Sequence, residues 1–252
     1  MASNDEVEAI ASDPDFEIIT TFAYSAGLPD NKISLLGSHC YLLQYGIDRL
    51  QAAASDLSWT VVAENLRGIN RVQSLSKEVS AHMLSNHGGA SKNPGRRFIV
   101  RLAFKRDGIL SIMSAPRPNS MDPLYPTTLS DIINHLYTSI MPVYLDTEPT
   151  TPSLFTKHKT THRRPYSDAW KRVGMDETTS PAQCDVLLQN EDGHIIGAAF
   201  RTVYFWRDDN AGVKEAFITA RDISDGELVW LSSAVGGFIQ GRVTLERTIR
   251  DN

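Results

Sequence analysis

Residues Arg96 to Pro116 read RRFIVRLAFKRDGILSIMSAP, and apolar side chains alternate with polar or charged ones on both sides of Arg106-Asp107-Gly108. A period of two puts alternate side chains on opposite faces, and an Asp-Gly turn supplies the backbone freedom of a tight reversal, so the segment predicts an antiparallel hairpin. Phe16 to Tyr24, FEIITTFAY, is rich in aromatic and β-branched residues and is followed by AGLPDNK, which predicts another strand and a turn. From about Tyr45, the residues Ile47, Leu50, Ala54 and Leu57 recur at helical spacing, and a second helix is expected over Val62 to Met83, stopping before Asn86.

The chain has 252 residues and 41% hydrophobic content, enough to close the core of one large or two modest domains, which excludes fibrous and disordered classes. Lys and Arg total 25 against 30 Asp and Glu. A net charge of −5 offers no basic field for nucleic acid or an anionic membrane surface, so neither partner is expected. Cys40 and Cys184 form no C-x-x-C pattern and are expected as buried small hydrophobes in a reduced compartment. The acidic start MASNDEVEAIASDPDFE lacks the order of a secretory signal, and residues 1–15 are expected as a flexible tail. No run approaches about 18 apolar residues, so a soluble cytoplasmic protein is expected.

In the second half, Pro165 to Val173 predicts a short helix with Pro in its first turn and Gly174 at its end. CDVLLQN, the turn EDGH and the following II predict a hairpin, while VYFW, EAFITA and VWLSS read as strands and GRVTLERTIR as a closing helix. LDTEPTTPS has the composition of an inter-domain connection, giving domains at 16–148 and 149–252.

The densest chemistry lies in FTKHKTTHRRPY, Phe155 to Tyr166. His158 and His162 are four apart, but no H-E-x-x-H pattern or nearby carboxylate accompanies them, so no metal is expected. A plain alternative is a basic surface strand with solvated Lys157, Lys159, Arg163 and Arg164. There is no G-x-S-x-G elbow and no phosphate-binding G-x-x-x-x-G-K-[ST] loop. Trp59, Trp170, Trp206 and Trp230 read as core or interface anchors.

Lys159-Thr160-Thr161-His162-Arg163, followed by Tyr166, resembles the K-T-T-x-R-x-x-Y signature of fold-type IV pyridoxal-phosphate enzymes. This is the class IV aminotransferase and aminodeoxychorismate lyase family, and the fungal, lyase-like branch is the nearest match. The resemblance implies that Lys159 carries pyridoxal 5'-phosphate as an internal aldimine, and neighbouring cations would favour the free amine needed for attack. YLLQYGIDRLQAAASDLSW resembles the family's H-x-x-R-L helix, with Gly46 where histidine is usual and Arg49 at the phosphate-binding arginine. VWLSSAVGGFIQGRVT resembles its Gly-rich phosphate loop opening a helix. By resemblance, Arg49, Arg163, Tyr166, Ser232, Ser233, Gly241, Arg242, Val243 and Thr244 hold the cofactor, and Thr160 and His162 face the substrate.

The implied fold is α+β in two domains, like that of D-amino acid aminotransferase: a small α/β N-terminal domain and a larger barrel-like β domain with flanking helices. A homodimer and a small amino substrate are also implied. Departures concentrate where the family touches its cofactor: Gly46, Gly197, Ser232-Ser233 and Thr244. At Gly197 the family has the glutamate that pairs with the ring nitrogen and keeps the ring an electron sink. Two readings stay open. One is a lyase or aminotransferase acting through Lys159. The other is a divergent member that has lost or replaced this chemistry, catalysing another reaction on a secondary metabolite or serving as a non-catalytic binding protein.

Overall fold

Ile18 to Tyr24 form β1, and every residue but Thr21 is buried. The computed structural model describes residues 4–26, 28, 39–68, 70–117, 140–205, 228–232 and 238–244. β1 pairs antiparallel with β2 (Phe98–Phe104), which pairs antiparallel with β3 (Leu110–Pro116). The expected hairpin is therefore present, with Gly108 at φ 90° and the Asp107 carboxylate accepting the Ile109 N–H.

Helices cover this sheet. The helix α2 (Leu43–Asp56) buries Ile47, Leu50 and Ala54, positions three and four apart that form one apolar stripe. The single helix expected over Val62 to Met83 is instead two, α3 (Thr60–Asn65) and α4 (Arg71–His87). Gly68 at φ 114° takes the chain out of helical geometry between them, and α4 restarts to bury Leu75, Val79 and Met83 at four-residue steps. α4 runs past Asn86 and ends where Gly88 turns to φ 53°. Within the stretch expected as a flexible tail, residues 4–11 make the helix α1 (Asn4–Ala11), whose Val7, Ile10 and Ala11 lie on one side and pack on the core.

The second half is built on six strands. They are β4 (Ile140–Leu145), β5 (Asp185–Gln189), β6 (Ile195–Ala198), β7 (Thr202–Phe205), β8 (Leu228–Ser232) and β9 (Phe238–Thr244). Their order is β6-β5-β4-β9-β8-β7, with β4 parallel to both neighbours and the other pairs antiparallel. β6 and β7 stand at opposite edges, yet three residues join them. Six flat strands would span about 24 Å, whereas the extended connection reaches at most about 15 Å, so the sheet curls its edges together in the expected barrel-like way.

Successive residues of β5 serve two layers. Val186 and Leu188 pack on Ala169 and Trp170, while Leu187 packs with Met141 and Val143. The helix α5 (Leu154–Lys157) precedes the signature, and α6 (Arg164–Arg172) begins within it, at Arg164, and ends near Gly174 at φ 72°. The closing helix expected from Gly241 is replaced, through Thr244, by β9. Phe238, Ile239, Val243 and Thr244 favour a pleated strand, and pairing on both sides outweighs the helical tendency of the charged residues that follow. EAFITA and Trp206 lie outside the described residues.

The chain forms two compact units, one of residues 2–121 with 153–162 and the other of 122–152 with 163–252. The boundary expected at 148/149 falls within the stretch that joins β4 to α5.

Candidate active site

The signature begins beside β1 in the first unit. Ile19 N–H donates to the Lys159 carbonyl (2.9 Å), Ile18 and Thr160 form an antiparallel bridge, and Thr161 N–H donates to the Glu17 carbonyl (2.9 Å). The Glu17 N–H in turn donates to Thr161 Oγ1 at 2.8 Å. These bonds occupy the side of β1 that β2 leaves free and fix the backbone around Lys159. Thr160 is buried and Lys159 half-buried.

Residues before the lysine are anchored as firmly. Ser153 and Thr156 cap α5 reciprocally, and Phe155 is buried edge-on against Phe16 (5.7 Å) with the His162 ring tilted over it at 4.7 Å. His158 is buried and its Nε2 lies 2.7 Å from Asp56 Oδ2, which also takes Lys157 Nζ at 2.7 Å. The two histidines are thus committed separately, and no group of three or more metal-ligating side chains occurs among the described residues. Lys157, then His158, hold the Asp56 carboxyl below its ordinary range. That part of the stability is present above the ordinary carboxylate pKa and is lost as pH falls through the folded value. Asp56→Ala is expected to cost about 1–3 kcal/mol, mostly from stranding the buried His158 nitrogen, because the exposed Lys157 pair is worth less than about 1 kcal/mol. Urea unfolding of the variant and of Lys157→Ala checks this, and equal losses in the two would contradict it.

Arg49 is exposed on α2 and makes no hydrogen bond or ion pair among the described residues. Three residues before it, a Cβ at Gly46 would sit 3.1 Å from Thr20 Oγ1 and 3.4 Å from its Cγ2. α2 therefore lies too close to β1 for the family's histidine unless Thr20 moves.

In the second unit, Arg163 and Tyr166 meet. The Arg163 guanidinium donates to the Ala199 carbonyl and lies over the rings of Tyr166 (5.0 Å) and Phe200 (4.9 Å). Trp170 stands edge-on to Phe200 at 5.1 Å, and together these side chains wall a cavity of about 300 Å³ edged by Lys171 and Glu177. Burial pushes the Tyr166 hydroxyl up and Arg163 opposes it. Sequence reasoning missed this use of Trp170 and Phe200; the helical spacing Arg163, Tyr166, Trp170 was the available signal.

Two buried acids were also missed. Asp146 is clamped by Arg172, with Nε to Oδ1 at 2.8 Å and Nη2 to Oδ2 at 2.6 Å. Asp185 accepts from the N–H groups of Val186 and Phe200 and pairs with Arg201 at 3.2 Å. Burial pushes the Asp185 carboxyl up, against these donors.

The expected Gly-rich phosphate loop resolves differently. Ser232 is the last residue of β8, opposite Thr202 and Phe238, whereas Gly241, Arg242, Val243 and Thr244 lie along β9. β9 runs parallel to β4, with Gly241 opposite Met141 and Thr244 opposite Tyr144. Ser233 lies outside the described residues. Gly197, at φ 159° in β6, faces Leu188 and has no heavy atom within 4 Å of a built Cβ. Cys40 and Cys184 are both buried thiols, as expected.

No family model and no curated protein sequence matches the chain. Solved structures do. A protein from Mesorhizobium loti described as an amino-acid aminotransferase shares 17% identity over 91% of this chain and 100% of its own, with a TM-score of 0.57. The chain has the class IV aminotransferase and lyase fold. The 4-amino-4-deoxychorismate lyase of Pseudomonas aeruginosa is 14% identical over 92% of this chain and 84% of its own, with a TM-score of 0.55. The branched-chain aminotransferase of the archaeon Thermoproteus uzoniensis, solved with norvaline, is 13% identical over 92% of this chain and 80% of its own, with a TM-score of 0.54. Identities this low establish the fold and leave activity to the residues. Among the described residues, no helix is long and apolar enough to cross a membrane.

Proposed function

We propose that the protein is a pyridoxal-phosphate-binding enzyme of the lyase or aminotransferase type, nearest the fungal lyase-like branch, acting on a small amino substrate as a cytoplasmic homodimer. The reading is carried by Lys159: a half-buried primary amine inside a K-T-T-x-R-x-x-Y signature, on backbone pinned to β1 by bonds on both sides. Pinning matters because a lysine that forms and releases a carbonyl adduct works only where its nitrogen is held in reach.

The donor set fits the anchoring of the cofactor. Lys159 supplies the amine and moves a proton at its Nζ, and Arg49, exposed and without a partner among the described residues, supplies a planar guanidinium for the phosphate. By the signature's resemblance, Thr160 and His162 would face the substrate, Arg163 and Tyr166 would support the ring, and Ser232, Ser233, Gly241, Arg242, Val243 and Thr244 would supply the remaining phosphate contacts. When bound, the cofactor supplies the electron sink that stabilises negative charge beside the substrate amino group.

Among the described residues, the same donor set offers no partner for a protonated ring nitrogen. Gly197 has no carboxylate, and the two buried acids of that unit among the described residues are consumed, Asp146 by Arg172 and Asp185 by Arg201. This supports the second reading, a divergent member whose chemistry is weakened or redirected to a secondary metabolite.

Absorption titration with pyridoxal phosphate, before and after borohydride, tests the proposal: a visible band that reduction removes is expected, and its absence overturns it. Gly197→Glu separates the two readings. Space for the side chain is open, but the backbone conformation costs about 1–3 kcal/mol for any L side chain. Gly197→Ala carries that cost without the carboxylate. Tighter cofactor binding is expected in Gly197→Glu alone; equal binding in both variants removes Gly197 from the site.

A further inference from the structure

Away from the candidate site, the end of α4 and the strand β3 bring two imidazoles and a hydroxyl to one point. Nε2 of His82 and Nε2 of His87 each lie 2.9 Å from Oγ of Ser114. Five residues along a helix turn the side chain by about 140°, so helical spacing alone does not pair these rings. They converge because His87 is the last residue of α4 and Ser114 stands on β3 facing both. The His87 ring also lies 4.6 Å from that of Phe98, which holds its plane.

The hydrogen bonds have a direction. Asn86 Nδ2 lies 3.3 Å from Nδ1 of His82 and donates to the His82 carbonyl at 2.8 Å. An amide N–H is a donor, so Nδ1 of His82 accepts, its Nε2 carries the proton and donates to Ser114, and the Ser114 hydroxyl donates to Nε2 of His87. All three groups are half-buried and so reachable by a small solute.

We propose that His82 and His87, with Ser114 beside them, form a binding site for a divalent transition ion of the zinc class. Two imidazole nitrogens aimed at one oxygen describe a chelating pair, and imidazole selects zinc, copper and nickel over magnesium and calcium. Zinc–nitrogen bonds of about 2.0–2.1 Å are shorter than the present contacts, so the hydroxyl rotates aside and stays as an oxygen ligand, water completing the shell. The Nε2 proton of His82 moves to Nδ1, and the Asn86 amide turns to accept it through Oδ1. No net proton leaves, and the ligand gains the outer partner that metal-bound histidines ordinarily have.

Calorimetric titration of the full chain with zinc chloride in chelator-free buffer tests this. One ion per chain is expected, bound at least about tenfold more weakly by His82→Ala and by His87→Ala and unchanged in His194→Ala. Ser114→Cys should tighten zinc at least about tenfold by offering a thiolate, a gain that misfolding does not imitate. Absence of saturable binding by the parent, parent-like binding by both histidine variants, or no gain in Ser114→Cys overturns the proposal.

Discussion

Lys159→Ala is expected to abolish borohydride-fixed attachment of pyridoxal phosphate and to lower turnover at least about hundredfold, the smallest loss expected for a group that moves protons in the reaction. Its fold should survive. The bonds that seat its backbone run from Ile19 N–H to the residue's own carbonyl and from Thr161 N–H to Glu17, truncation of the side chain leaves both in place, and the buried neighbour is Thr160. Truncating an exposed or half-buried side chain there costs within about 1 kcal/mol, so the melting temperature should stay near that of the parent. That separates loss of chemistry from loss of structure. Lys159→Arg keeps the charge but, with a guanidinium that does not deprotonate, should be as inactive as alanine. Parent-like cofactor attachment in Lys159→Ala would remove the lysine from its role. Retained attachment alongside unmeasurable turnover on amino substrates in the parent would instead favour the divergent reading that Gly197 supports.

The residues that point to this lysine are legible because they are contiguous, and their partners are not because they lie far away. The bond that seats Thr161 joins it to Glu17, 144 residues earlier, and no local pattern in either segment announces it. Local chemistry serves well where it decides alone: Asp107-Gly108 turns the β2–β3 hairpin and Gly174 closes α6. It misleads where pairing competes with propensity. Val243 and Thr244 precede a charged, helix-like run, yet pairing with Val143 and Tyr144 of β4 draws them into a strand. Gly68 reads as one weak residue within a long apolar periodicity, but its positive φ divides α3 from α4. In α1, the acidic first turn suggests solvation, while Val7, Ile10 and Ala11 supply the stripe that docks it. The aromatic cavity needs Arg163 to reach Ala199 and Phe200, a contact between a helix start and a strand end.

Arg201→Ala is expected to destabilise the protein by about 3–5 kcal/mol at neutral pH, the cost of leaving a buried charge without its partner. Asp185 has a fully buried side chain and Arg201 is 11% exposed, so water is poorly placed to replace the guanidinium. What remains on the carboxylate is the pair of N–H donors from Val186 and Phe200. The sign of the pH dependence follows from burial, which already raises the Asp185 pKa with Arg201 present and raises it further without it. A carboxyl whose folded pKa lies above its unfolded value favours the folded state below the unfolded pKa, and that contribution is lost as pH rises through the folded value. The variant's deficit should therefore be largest at neutral pH and shrink on acidification toward the ordinary aspartate range. Asp185→Asn in the same chain should recover most of the loss at neutral pH, since a neutral amide oxygen still accepts both N–H donors and carries no charge to strand. Urea unfolding of the single and double variants across that pH range reads all three expectations. A pH-independent deficit, or a double variant no more stable than Arg201→Ala, would show that the arginine acts through packing of its stem instead of through the charge of Asp185.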